Sequence, residues 1–462
     1  MKKIILYELN EISPRLLEYY IRINPKSNLA RIVKKNGYFK THTTDNGELH
    51  PWSTWPTVHR GVNNQKHNIR FINQDLNNAK DFPPIWEILE KNNISIGVFG
   101  SLQSFPPLNT KKTSFYIPDT FAPSHECHPK YLEAYQQFNL SMTSRNKGLT
   151  RGYTLDSIFK FLKLIKNIKL SFFSLRKIIQ QVFLEFLFKR YKTRRSLLQP
   201  IIGFDIFLRI LKNKSPHFAT FFTNHVAGMQ HKYWGHLFPG ETVIGLEDFD
   251  IFHFNSIIYS LNIAENQLKK LQEFSEKNNY AILILSSMGQ DSIKRKKYIP
   301  ELYLENLNDL TKNLGLNPKK YILMPAMQPD ISIKCADKES LEKLLLNVKF
   351  IIDSRGLKLL RKVYDPIGLT LNLSLERSKE VAKSKKLSFK GKVFQLKQFG
   401  FSLIELHPGT GYHIPEGIIV VDDEDLNNKI RKKYGNKLDT RDIAPIILEH
   451  FKIKTPEYMA YH

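Results

Sequence analysis

The chain has 462 residues, enough for one large core and a smaller second one, since single cores rarely grow past about 250–300 residues. At 42% hydrophobic and 12% aromatic it falls outside the disordered class, and a formal charge of +25 directs it towards anions such as nucleic acid, acidic lipid or a phosphorylated substrate. Two cysteines, Cys127 and Cys335, lie far apart without CxxC spacing, which argues against a disulfide framework or a zinc-thiolate site.

At the N-terminus, Lys2 and Lys3 precede an apolar run too short for a signal peptide. No uncharged apolar run approaches the roughly 18–20 residues of a spanning helix. A cytoplasmic location is expected, soluble or peripheral at the inner membrane surface. Ile4–Tyr7 reads as a strand buried on both faces, delivering Glu8, Asn10 and Glu11 to its C-terminal end. Ser13 and Pro14 then open a helix through Tyr20, with Ser13 as N-cap and Pro14 in the first turn. Further strands are predicted at Ile94–Phe99, Phe218–Phe222 and Ala281–Leu285, with helices at Pro84–Lys91 and Ile257–Asn278. This alternation predicts an α/β fold, a doubly wound and mostly parallel sheet between helices, with ligands at the strands' C-terminal ends.

Two segments break the rhythm. Residues 151–215 hold fifteen Lys or Arg against three acids, interleaved with Ile, Leu and Phe, and read as a basic amphipathic helical insertion. Residues 295–398, with a strand at Asp330–Cys335 and a helix at Lys338–Leu346, read as a smaller α+β subdomain. The core is then expected from 1–150, 216–294 and 399–462.

Five segments concentrate chemistry. The first follows the opening strand, Glu8-Leu9-Asn10-Glu11. The second is His50-Pro51-Trp52-Ser53-Thr54-Trp55-Pro56-Thr57-Val58-His59-Arg60-Gly61, trailed by His67-Asn68-Ile69. The third is Asn224-His225-Val226-Ala227-Gly228-Met229-Gln230-His231, after a strand. The fourth is Ser286-Ser287-Met288-Gly289, after another strand. The last is Gly411-Tyr412-His413-Ile414-Pro415-Glu416-Gly417, leading into a strand, with Pro456-Glu457-Tyr458-Met459 near the end. Polar groups at strand ends converge on one crevice in such sheets. The plain alternatives are that Asn10 and Asn224 are turn-formers, Glu8 and Glu11 solvated charges, Ser53 and Thr54 helix caps, and the tryptophans core packing or a sugar platform.

In order and spacing these segments resemble the alkaline phosphatase superfamily on its type I phosphodiesterase and nucleotide pyrophosphatase side, over residues 1–290 and 400–462. The resemblance implies an alkaline phosphatase-like fold and a hydrolase or transferase acting on a phosphate or sulfate ester of a glycan, lipid or nucleotide. It implies Ser53 or Thr54 as nucleophile, and Asn10, Asn224, His231 and His413 around one divalent metal, zinc or manganese, or around none. The sequence departs from the pattern at three places. Asn10 or Glu8 stands where an Asp is usual, Ala227 replaces the Asp of an Asp-x-x-x-His segment, and Ser287-Met288 replaces an Asp-His pair. Counting back from Gly61, the nucleophile's place falls nearer Pro51. One half of a two-metal site is thereby missing, so the alternative is a catalytically degenerate member that binds an anionic ligand or partner. A third reading is a peripheral scaffold held on an anionic membrane surface by 151–215. No nucleic-acid module is recognisable, and no nucleic-acid partner is expected.

Overall fold

The computed structural model describes residues 2–72, 74–144, 170–242, 245–293, 300–324, 326, 330–363, 368–376, 378–404 and 410–459. Two compact units are present, one of Met1–Arg70, Leu76–Lys294 and Thr410–His462, the other of Phe71–Asp75 and Arg295–Gly409.

The larger unit begins β1 (Lys3–Leu9), α1 (Pro14–Ile23), α2 (Asn28–Asn36), β2 (Phe39–His42), α3 (Pro51–Arg60), α4 (Ile85–Lys91), β3 (Ile96–Phe99) and β4 (Thr113–Ile117). It continues with α5 (Phe172–Leu187), α6 (Leu198–Lys214), β5 (Phe218–Thr223), α7 (His225–Leu237), α8 (Ile251–Asn278), β6 (Tyr280–Leu285) and β7 (Gly289–Ser292). After the second unit come β8 (Gly411–Ile414), β9 (Glu416–Asp422), α9 (Glu424–Tyr434), β10 (Lys437–Asp439) and α10 (Ile443–His450).

Eight strands form one sheet in the order β10-β2-β9-β6-β1-β5-β3-β4. The run from β6 through β1, β5 and β3 to β4 is parallel, and only β9 opposes its neighbours β2 and β6. Alternate residues of β1 feed two cores, because successive side chains of a strand point to opposite faces. Ile5, Tyr7 and Leu9 pack with α1, α2, α6, α7 and α8 on one face. Ile4 and Leu6 pack with α3, α4, α9 and α10 on the other. Each fully buried side chain of this kind contributes about 1.5–3 kcal/mol. The sheet is therefore mostly parallel and covered by helices on both faces, as the alternating pattern predicts.

Most predicted elements fall within a residue or two of those observed. The exceptions are α1, which runs on to Ile23 rather than ending at Tyr20, and α8, which starts at Ile251 rather than Ile257. The Asp250 carboxylate accepts from Phe252 N at 2.7 Å and caps α8 a turn and a half earlier than the apolar spacing suggests. The first part of the basic segment, 151–169, lies outside the described residues; the rest contains α5 and α6.

Register positions the site. Leu9 lies opposite Thr223, and Glu8 opposite Leu285, so β5, β1 and β6 end at one level. The residues just beyond them, Asn10 and Glu11, Asn224, and Ser286 and Ser287, collect at the C-terminal edge. β7 and β8 form an antiparallel pair in which His413 faces Gln290.

The smaller unit has its own core, with Ile333, Leu344, Leu371 and Phe399 fully buried. Asp330–Cys335 is an inner strand of a four-stranded sheet, antiparallel to Tyr321–Met324 and Thr370–Leu375, and Lys338–Val348 is a helix. It is an α+β unit.

Candidate metal centre

Glu11 follows β1 with φ 61°, in the left-handed region that a side chain rarely adopts. That backbone turn directs its carboxylate back under the strand ends, where the residue is 1% exposed. Oε1 accepts from Asn10 Nδ2 at 2.8 Å. Oε2 accepts from Gln290 Nε2 and lies 3.0 Å from His231 Nε2 and 3.5 Å from His413 Nε2. Gln230 Nε2 holds the Glu11 carbonyl at 3.1 Å. The acid is therefore fixed from four sides.

His231, on α7, donates from Nδ1 to the Gly411 carbonyl at 3.1 Å. That bond assigns the tautomer, so in the neutral ring Nε2 carries a lone pair aimed at Glu11. A lone pair 3.0 Å from a carboxylate oxygen is repulsive unless a proton or a cation lies between them. Burial alone would lower the His231 pKa, but the Glu11 charge and hydrogen bond outweigh it and raise it. Burial likewise pushes Glu11 upwards, and His413 and His231 together overturn that and hold its carboxyl well below the usual range. His413, on β8, meets the His231 ring edge-on at 5.0 Å, and among the described residues its ring nitrogens have no hydrogen-bond partner.

Ligand atoms of Glu11, His231 and His413 lie within 4.8 Å of one another, the only such group among the described residues. Two imidazoles and one carboxylate, with the outer nitrogen of His231 already donated to a carbonyl, suit a zinc-like or manganese-like ion. The donor set fits one divalent cation. Gly411 is part of the cradle, since a Cβ there would stand 2.6 Å from Gln290 Oε1 and 2.7 Å from the Gln230 carbonyl.

The other residues singled out in the sequence take different positions. Asn10 is fully buried; its Oδ1 accepts from Trp55 Nε1 at 2.7 Å, and its Nδ2 also donates to Asn224 Oδ1 at 2.7 Å. Both amide ends are thus occupied, and Asn10 and Asn224 form a chain that steadies Glu11. Ser53 and Thr54 sit in the first turn of α3. Thr54 Oγ1 shares a hydrogen bond with Ser287 Oγ at 2.7 Å, whereas Ser53 Oγ accepts from Asn64 Nδ2 at 3.2 Å and reaches Asp45 at 3.4 Å. Burial raises the Asp45 carboxyl to about 6 against the hydrogen bonds it receives. His50, the N-cap of α3, stacks on Trp52 at 4.5 Å and meets the His413 ring at 5.9 Å, which brings that helix end to the centre.

Glu8 and Glu11 are buried rather than solvated. Glu8 accepts from His59 Nε2 and from Ser101 Oγ, each at 2.8 Å, and is part of the core. Trp55 and Trp234 are core residues as well, fully enclosed. Glu11 is the member of this candidate group that sequence reasoning left outside its ligand set. The available signal was its place just past an apolar strand; the left-handed turn that redirects it leaves no mark in composition or period.

No protein-family model matches the chain, and no curated protein matches it. Among solved structures it is similar to phosphonoacetate hydrolase from Sinorhizobium meliloti 1021 in complex with phosphonoformate, at 14% identity and a TM-score of 0.42, covering 96% of this chain and 94% of that one. It is also similar to murine ectonucleotide pyrophosphatase/phosphodiesterase 5 (10% identity, TM-score 0.40, 98% of this chain and 96% of that one). The human form of the latter gives 11% identity and a TM-score of 0.39, with 98% and 96% covered.

Proposed function

We propose that the chain is a hydrolase of phosphate esters, with sulfate esters as the chemical neighbour, built around one divalent cation on Glu11, His231 and His413. The observation that carries this reading is the convergence of those three ligand atoms within 4.8 Å at the C-terminal edge of the sheet. The order of motifs resembling the alkaline phosphatase superfamily supports it. A cation held there supplies positive charge against the ester oxygens and acidifies a water molecule. Glu11 is held in place by Asn10 and Gln290, and His231 is oriented by the Gly411 carbonyl. The N-terminal end of α3, with His50 beside His413, presents a partial positive charge that favours an anionic substrate oxygen. Ser53 and Thr54 are each hydrogen-bonded within the fold, so the reading gives the attack to water rather than to either hydroxyl. The substrate's remaining part, whether glycan, lipid or nucleotide, belongs to the same proposal.

Metal analysis together with nitrophenol release from a nitrophenyl phosphodiester tests it. One bound zinc or manganese per chain is expected, with turnover lost in His413→Ala and kept within about tenfold in Thr54→Ala, short of the roughly 10²–10⁴-fold cost of losing a direct chemical participant. Loss of all turnover in Thr54→Ala with metal retained would instead make Thr54 the nucleophile. The absence of Asp and His at Ser287 and Met288 favours a second reading, a binding protein without turnover. Bound metal without product release from any phosphate or sulfate ester would select it.

A further inference from the structure

Helix α5 buries three polar side chains and exposes most of its apolar ones. Ser174, Ile178, Gln181 and Glu185, at i, i+4, i+7 and i+11, face the unit's interior. There Glu185 forms an ion pair with Arg195 and accepts from Gln181 Nε2 at 2.9 Å. At about 100° per residue, the opposite side carries Arg176 within an apolar stripe of six, Phe172, Ile179, Phe183 and Phe186 flanked by Val182 and Leu187. All six are exposed, Phe172 at 82%, Ile179 at 68% and Phe186 at 85%. A helix on a water-facing surface shows the reverse arrangement, and a contiguous exposed apolar face marks an interaction surface.

Charge selects the partner. Between Leu170 and Leu197 the sequence carries seven Lys or Arg and a single acid, the buried Glu185. Arg176, Lys189, Arg190 and Lys192 are exposed, and among the described residues of this stretch no carboxylate is. An apolar stripe whose exposed charged neighbours in this stretch are all cations complements acyl chains beneath acidic headgroups. A second copy of this chain would bring the same cations to the same face, on molecules each carrying +25. Spanning is excluded by length, since 16 residues reach about 24 Å against a hydrocarbon core of about 30 Å.

We infer that α5 docks the protein, lying in the membrane plane, onto an anionic phospholipid bilayer. Its apolar stripe enters the acyl boundary, and Arg176, Lys189, Arg190 and Lys192 meet the headgroups. This surface is independent of the catalytic reading.

Co-sedimentation of the full chain with phosphatidylcholine vesicles containing about 30% phosphatidylserine, against vesicles of phosphatidylcholine alone, tests the assignment. Binding to the anionic vesicles is expected, weaker by about tenfold or more on neutral ones. The Phe183→Glu/Phe186→Glu variant should lose about tenfold or more, with an unchanged circular dichroism spectrum and thermal midpoint because both side chains are exposed. Lys189→Glu/Lys192→Glu should weaken binding with the apolar stripe intact. Failure to bind anionic vesicles, or equal binding by all variants, would overturn the assignment. So would a homodimer in sedimentation velocity that Phe183→Glu/Phe186→Glu dissolves, since the face would then belong to a second copy.

Discussion

Single residues decide whether the strand ends make a centre or only a polar turn. Two of the three proposed ligands, His231 and His413, stand out in the sequence because each occupies a recognisable spacing next to a strand. Glu11 does not, because its role depends on a backbone conformation with φ 61° and on partners more than 200 positions away. Asn10, which looks like the ligand from its place in the strand, is occupied by Trp55 and Asn224. A neighbouring polar cluster shows the same economy. His67 accepts at Nδ1 from Ile69 N at 2.9 Å, so its proton lies on Nε2 and is donated to Thr57 Oγ1 at 3.0 Å. Burial first, then Arg60 and Arg70, push the His67 pKa down to about 3. The unfolded chain takes up that proton near pH 6.5 and the folded one only near 3, so the stability tied to a neutral His67 is intact above 6.5 and lost as pH falls between them. In urea denaturation, the stability gap between the natural chain and His67→Gln should shrink by about 1.4 kcal/mol per pH unit on going from pH 6 to 4. A gap independent of pH would contradict a neutral buried imidazole.

At the scale of elements, β1 and α3 are joined through Glu8. This acid, on the central strand, accepts from His59 on α3 and from Ser101 just after β3, with Ser101 in turn bonded to Thr220 on β5. Glu8→Ala would leave two buried donors without an acceptor, each costing about 1–3 kcal/mol. A destabilisation of about 2–5 kcal/mol is expected in chemical denaturation. A variant as stable as the parent would show that Glu8 is dispensable to the packing of α3 on the sheet. The inner strands β1, β3, β5 and β6 were legible, because a continuous apolar run of four to six residues bounded by turn residues suits a strand covered on both faces, whereas β2, β4 and β10 were not. Nor was the exposed apolar stripe of α5. Period alone shows that a helix has an apolar side, and only packing shows that this side points away from the core.

For the whole molecule, the alternation of strands and helices was enough to predict a mostly parallel sheet between two helical layers, since that pattern has few packed solutions. The longer of the two departures to the second unit, Arg295–Gly409, leaves and returns at neighbouring backbone. Ile293 N donates to the Thr410 carbonyl at 3.1 Å, and Ser292 pairs with Gly411. Joining Ile293 to Thr410 through a short Gly-Ser link should therefore give a folded chain whose metal affinity stays within about tenfold of the parent's, no worse than losing one outer hydrogen-bond partner of a ligand. Complete loss of metal on excision would mean that the second unit helps to build the centre. The most direct test of the whole account is a titration of the metal-free chain with zinc and with manganese by calorimetry, for the parent, Glu11→Ala and His413→Ala. One site per chain is predicted, with affinity reduced by more than the roughly 10–100-fold cost of an outer partner in both variants. No binding by the parent, or undiminished binding by Glu11→Ala, would contradict a cation centre on Glu11, His231 and His413.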